Sequence, residues 1–218
     1  MAIVSIFGPN NIGKSTLARI LKKRLGSNGE RWIIDSLAAP LKQQIANELF
    51  YGQRPFPEAY DYLPSPHNET SHPCPTLLNS PSELEDIMFD RVTGLEAVKE
   101  SLRPLMLEVG ADQIKKHGKY YYPDRLIKTY GLNSGHRVNL IIDDCRYPAE
   151  LERLSALPTS FNLCFVDIDG SLLLPPQLGD IPSDRFQLQI PEYYYRDDDK
   201  GEAEIKAIVT YIRPKFTD

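Results

Sequence analysis

Cysteine is scarce in this sequence: Cys74, Cys145 and Cys164 are the three examples among 218 residues. Their number is odd, they lie far apart, and they form no Cys-x-x-Cys pair, which argues against the disulfide framework of a small secreted domain. The first residues also lack the basic region that opens a signal peptide. We therefore expect a reducing, cytoplasmic environment.

Long apolar runs and an excess of positive charge are lacking as well. No stretch of about twenty apolar residues occurs, so we expect no transmembrane helix. The net charge is -5 at pH 7, which argues against a broad nucleic-acid-binding surface. We expect neither a membrane nor a nucleic-acid partner, and the sequence is compatible with a homodimer. The remaining composition, 41% hydrophobic, is that of an ordinary globular domain.

Apolar runs that suit buried strands alternate with segments of helical periodicity. The predicted strands cover residues 2–7, 31–35, 138–144, 162–168 and either 187–190 or 193–195. The predicted helices cover residues 16–25, 40–49, 82–109 with breaks near Gly94 and Pro104, 150–157 and 202–212. An irregular, proline-rich segment is expected over 55–81. This alternation predicts a three-layer α/β fold with a mainly parallel sheet, which binds ligands at the carboxyl ends of its strands.

The turn after the first strand matches the P-loop pattern G-x-x-x-x-G-K-[ST] in full, from Gly8 to Ser15. Its glycines let backbone N–H groups turn inward around phosphates, and the start of the following helix adds partial positive charge. Lys14 is expected to reach the β- and γ-phosphates, and the Ser15 hydroxyl to ligate Mg²⁺. The pattern predicts ATP as co-substrate and Mg²⁺ as cofactor. The predicted ATP-binding residues are Gly8, Asn10, Asn11, Ile12, Gly13, Lys14, Ser15 and Thr16.

A second group of candidate residues, Asp143-Asp144-Cys145-Arg146, ends the predicted strand 138–144. Asp144 can orient Mg²⁺ or its water shell, and Arg146 can bind a phosphate through its planar guanidinium. We therefore predict Lys14, Asp144 and Arg146 as catalytic residues, with Ser15 and Asp144 serving the metal. The alternative interpretation is an acid that caps a helix and an arginine in a surface ion pair.

Four segments, in order, resemble the deoxynucleoside monophosphate kinases of bacteriophages. They are the P-loop, Leu-Ala-Ala-Pro-Leu-Lys at 37–42, Leu-Arg-Pro-Leu-Met-Leu-Glu-Val-Gly-Ala-Asp at 102–112, and Ile-Asp-Asp-Cys-Arg-Tyr-Pro-Ala-Glu at 142–150. The resemblance implies a single P-loop kinase domain over 1–218, with an acceptor-binding insert at 36–112 and a short lid at 170–190. It also implies ATP-dependent phosphorylation of a (deoxy)nucleoside monophosphate.

The resemblance implies further roles for individual side chains. Lys42 and Arg103 would approach the acceptor nucleotide, Asp112 would help shape its pocket, and Asp124 matches an acid on the acceptor side. Arg185 is the basic residue between 170 and 190 and is our candidate lid cation. Alternatively, Lys42 is a solvated cation on its helix and Arg103 an ion-paired one.

The chain also departs from the family pattern. Ala39 stands where the family has an acid, and Glu108 and Ala111 replace a glutamine and a threonine. These differences leave two alternatives to a nucleoside monophosphate kinase. One is a small-molecule kinase similar to dephospho-coenzyme A kinase. The other is a regulatory protein that binds nucleotide without turnover.

Overall fold

The computed structural model describes residues 1–50, 96–132, 138–192 and 199–215. The chain divides into two compact units, one formed by Met1–Leu37 and Tyr120–Asp218, the other by Ala38–Lys119. Three predicted segments lie outside the described residues. They are the proline-rich segment 55–81, the predicted helical stretch up to residue 95, and the alternative last strand at 193–195.

A six-stranded sheet forms the centre of the larger unit. Its strands are β1 (Ile3–Phe7), β2 (Trp32–Asp35), β3 (Asn139–Cys145), β4 (Ser160–Val166), β5 (Leu172–Leu173) and β6 (Leu188–Pro191). Their order is β2-β3-β1-β4-β5, and β6 pairs with β4. The pairs are parallel except for β4 with β5. The prediction of an α/β protein with a mainly parallel sheet is therefore confirmed.

Six α-helices occur in the described part of the chain. They are α1 (Lys14–Leu25), α2 (Ala39–Phe50), α3 (Glu96–His117), α4 (Tyr121–Thr129), α5 (Pro148–Ser155) and α6 (Asp199–Ile212). Among these residues, no helix combines the length and the apolar character needed to cross a membrane.

Helices cover both faces of the sheet in the larger unit, as in a three-layer α/β fold. Leu17 of α1 and Ile205 of α6 pack with Val4 of β1 on one face. Leu126 of α4 and Leu151 of α5 belong to the core on the other face. All five residues of β1 are buried, because a central parallel strand has both faces covered. The carboxyl end of β1 lies between the carboxyl ends of β3 and β4, which run parallel to it.

The smaller unit contains α2 and α3, which pack against each other. A helix break near Pro104 was predicted, and this prediction is wrong, because α3 continues through Pro104 to His117. A proline inside a helix removes one hydrogen bond and costs about 3 kcal/mol. Leu102 and Val109 are buried on either side of it, and this burial offsets the cost.

Candidate phosphate-binding site

The loop between β1 and α1 has a backbone that depends on glycine at two positions. A Cβ atom on Gly8 would lie 2.8 Å from Phe165 Cδ2 and 3.0 Å from Ile12 Cγ2, so a larger residue does not fit. Gly13 has a φ of 95°, a left-handed conformation that favours glycine, and Asn11 has a φ of 62°. The loop therefore turns sharply and leads directly into α1 at Lys14.

Lys14 lies buried at the start of α1, with 7% of its surface exposed. Its Nζ donates hydrogen bonds to the carbonyl oxygen of Gly8, at 2.8 Å, and to that of Pro9. Burial and, to a smaller extent, the positive charge of Arg146 lower the pKa of Lys14 from 10.5 to about 8, against the opposing effect of Asp144. The ammonium group is thus held in place by the loop itself. A phosphate would relieve the cost of burying its charge.

A β-bulge sets two acids side by side at the end of β3. Ser5 pairs with Ile142 and Phe7 pairs with Cys145, so Asp143 and Asp144 both lie opposite the one residue between Ser5 and Phe7. Bulges of this kind redirect side chains and are frequent next to functional sites. Both carboxylates raise the pKa of Lys14. The bulge therefore brings negative charge within electrostatic reach of the lysine.

Asp144 accepts hydrogen bonds from the segment that follows β2. Ser36 Oγ donates to Asp144 Oδ2 at 2.5 Å, and the Leu37 N–H donates to Asp144 Oδ1 at 2.7 Å. Asp35, at the end of β2, accepts the Ser36 N–H at 2.7 Å and the Tyr130 hydroxyl at 2.6 Å. Burial, together with the bond to Asp35, raises the pKa of Tyr130. This hydrogen-bond chain was not predicted from the sequence.

Arg146 follows β3 and is anchored through its backbone. Its N–H donates to Glu150 Oε2 at 2.6 Å, and the Tyr147 N–H donates to the same oxygen at 2.9 Å. Glu150 lies in the first turn of α5, where a carboxylate satisfies N–H groups that have no partner within the helix. Its side chain is buried, and burial raises its pKa to about 7. Glu150 thus fixes the turn that carries Arg146.

We expect Glu150→Gln to change how stability depends on pH. The pKa of Glu150 rises from 4.5 to about 7 on folding, so the folded protein binds more protons than the unfolded protein between these values. The free energy of unfolding of the wild type should therefore fall as pH rises from 5 to 8. Relative to the Glu150→Gln variant, we expect a fall of roughly 3 kcal/mol. Glutamine keeps an oxygen acceptor for the two N–H groups and does not ionise.

Denaturant unfolding at pH 5 and pH 8 measures this difference. Glu152→Gln, at an exposed position on the same helix, is the control for loss of one negative charge. If wild type and Glu150→Gln show parallel pH profiles, Glu150 titrates like an exposed acid and this prediction is wrong.

Three of the predicted acceptor residues belong to the smaller unit. Lys42 lies on α2 and Arg103 on α3, and both are half-buried. Asp112 lies further along α3 and is exposed. Their roles in acceptor binding stay predictions.

Asp124 and Arg185 belong to the larger unit. Asp124 Oδ1 accepts a hydrogen bond from Arg153 Nε at 2.6 Å, an ion pair that joins α4 to α5. Arg185 is exposed, and its carbonyl oxygen accepts a bond of 3.5 Å from Asn162 Nδ2. Because Asn162 pairs with Ser5, the Arg185 backbone lies about 10 Å nearer the amino end of the sheet than Gly8. The structure therefore does not bring the Arg185 backbone to the end of β1.

Ser15 and Thr16 are exposed in the first turn of α1, beside Lys14. Within the described residues, no group of three or more His, Cys, Asp or Glu side chains could hold a metal ion. Mg²⁺ in phosphate sites is usually held by one or two carboxylates together with phosphate oxygens. The Ser15 hydroxyl and the Asp143–Asp144 pair supply oxygen ligands of this kind, so the residues present fit Mg²⁺ bound with a phosphate chain.

No protein-family model matches the chain, and no curated protein matches its sequence.

Proposed function

We propose that this protein has a P-loop kinase fold and transfers the terminal phosphoryl group of ATP to a (deoxy)nucleoside monophosphate. The observation that carries the proposal is the buried Lys14 ammonium, held by loop carbonyls beside two acids and Arg146. A buried lysine with a lowered pKa, at the carboxyl edge of a parallel sheet, is typical of a functional site.

In this proposal, the donor site is the loop of residues 8–15. Its inward-turned N–H groups and the start of α1 bind the phosphates, and Lys14 stabilises charge on the β- and γ-phosphates. Mg²⁺, when bound, would neutralise charge on the transferring group. Ser15 and the Asp143–Asp144 pair would hold that ion, and Arg146 would bind the phosphoryl group between donor and acceptor.

The acceptor assignment rests on the resemblance to the phage kinases. Lys42, Arg103 and Asp112 occupy the matching segments, and the smaller unit Ala38–Lys119 is the proposed acceptor-binding region. The ion pair of Asp124 with Arg153 favours a structural role for that acid. The proposal does not depend on Arg185.

The proposed function is tested by a coupled assay of ADP release across a panel of acceptors. The panel contains ribo- and deoxynucleoside monophosphates with each base, and dephospho-coenzyme A. We expect ADP release to accelerate with at least one deoxynucleoside monophosphate, because an acceptor held in line with the terminal phosphoryl group reacts faster than water.

Other outcomes separate the alternatives. Acceleration by dephospho-coenzyme A alone would identify the protein as a different small-molecule kinase. ATP binding without turnover for any acceptor would favour a regulatory nucleotide-binding protein. Absence of ATP binding would refute the donor site itself.

A further inference from the structure

Ser36 is the residue through which two carboxylates at neighbouring strand ends are connected. Its hydroxyl donates to Asp144 and its backbone N–H donates to Asp35. Its side chain is buried, with 7% of the residue surface exposed. A serine hydroxyl has one proton to donate, and here a carboxylate accepts it. Hydrogen bonds to ionised acceptors are shorter and stronger than those between neutral groups.

These bonds fix the orientation of Asp144. Ser36 Oγ holds one carboxylate oxygen and the Leu37 N–H holds the other, so both oxygens are tied to the end of β2. A carboxylate has about four acceptor positions on its two oxygens. The two bonds decide where these positions are directed. Asp144 also acts electrostatically on Lys14, so its orientation matters to the site.

We infer that Ser36 is a positioning residue of the nucleotide–magnesium site and that it acts through Asp144. The inference rests on the proposed function. Side chains that orient metal-directed ligands typically change metal affinity or activity by roughly 10- to 100-fold when they are replaced. A buried serine that only fills space would not change metal affinity in this way when it is replaced.

The chain offers such a serine as a matched control. Ser5 is also buried in the sheet, and its Oγ has no hydrogen-bond partner among the described residues. Ser5→Ala therefore removes a buried hydroxyl without disturbing Asp144. Ser36→Ala removes the donor, and Ser36→Thr keeps it. Ser36→Cys keeps the shape of the side chain with a slightly larger atom and a weaker donor, and serves if the alanine variant unfolds.

The experiment titrates Mn²⁺ into each full-length variant with a non-hydrolysable ATP analogue, and electron paramagnetic resonance measures the free metal. We expect Ser36→Ala to weaken Mn²⁺ binding about tenfold, while the affinity for the analogue without metal stays unchanged. Ser36→Thr and Ser5→Ala should bind Mn²⁺ like the wild type. In an Asp144→Asn background, Ser36→Ala should cause no further loss, because the two residues act as one unit.

Two results would overturn the inference. One is wild-type Mn²⁺ affinity in a folded Ser36→Ala or Ser36→Cys variant. The other is an equal loss in the wild-type and Asp144→Asn backgrounds, which would show that Ser36 acts independently of Asp144. A wild-type protein that does not bind the analogue with metal would instead refute the proposed function, so the two failures are distinguishable.

Discussion

Lys14→Ala should abolish nearly all phosphoryl transfer while the protein stays folded. In the proposed reaction, Lys14 would place a buried point charge beside the phosphates, where its interaction would strengthen as charge develops on the transferring group. Removing one such contact typically costs about 100- to 1000-fold in turnover, and we expect a loss at the upper end. Lys23→Ala, in the last turn of the same helix and exposed, is the control and should retain full turnover.

The stability of the same variant provides a second measurement. The pKa of Lys14 falls from 10.5 to about 8 in the folded protein, so the unfolded chain binds more protons between these values. The cost of burying the charge is therefore fully present below about pH 8 and disappears as pH rises toward 10.5. At pH 7 without nucleotide, we expect the variant to melt no lower than the wild type. Wild-type turnover, or loss of the fold, would contradict the role of Lys14 in the donor site.

Arg146→Ala should lower turnover by roughly 100-fold, and Arg146→Lys by about tenfold or more. Lysine retains the charge but loses the planar pair of donors, so the lysine variant separates geometry from charge. Nucleotide affinities should change less than turnover, because the proposed contact strengthens in the transition state. Arg146 is held in place by its own N–H bond to Glu150, which neither substitution removes.

Arg153→Lys is the matched control for Arg146, because Arg153 lies on α5 in an ion pair with Asp124. We expect it to leave turnover unchanged. Steady-state kinetics and a melting curve on each variant make the comparison. If Arg146→Lys lowers the melting temperature and retains near-normal turnover, Arg146 serves the packing of the strand end and is not part of the site.

Sequence reasoning located the elements whose signal is local. β1 and α1 follow from an apolar run, a glycine turn and helical spacing, and the structure places them within two residues of the prediction. Helix α4 was missed because its apolar residues Leu126 and Ile127 are few and three tyrosines precede them. A helix break was predicted at Pro104 because proline is unfavourable inside a helix. Buried neighbours in α3 offset this unfavourable free energy.

The parts of the site that escaped prediction depend on residues far apart in sequence. Ser36 and Asp144 are separated by 108 positions, and no local pattern indicates that their side chains meet. The bulge at Asp143 and Asp144 arises from a register shift between β3 and β1. The hydrophobic periodicity of the sequence does not reveal the register between strands. Conversely, the turn between β1 and α1 was predictable because Gly8 and Gly13 mark it locally in the sequence.

The sheet order has a consequence for protein synthesis. Strand β1 is synthesised well before the two strands that hydrogen-bond to it, because β3 and β4 begin only at Asn139 and Ser160. Ala2 and Asn139, which are joined by a hydrogen bond, are 137 positions apart. At 5–20 residues per second, roughly 7–27 s pass between the synthesis of the glycine loop and that of the acids at the end of β3. A nascent chain therefore carries this loop, and the apolar strand before it, well before the strands that cover them have been made.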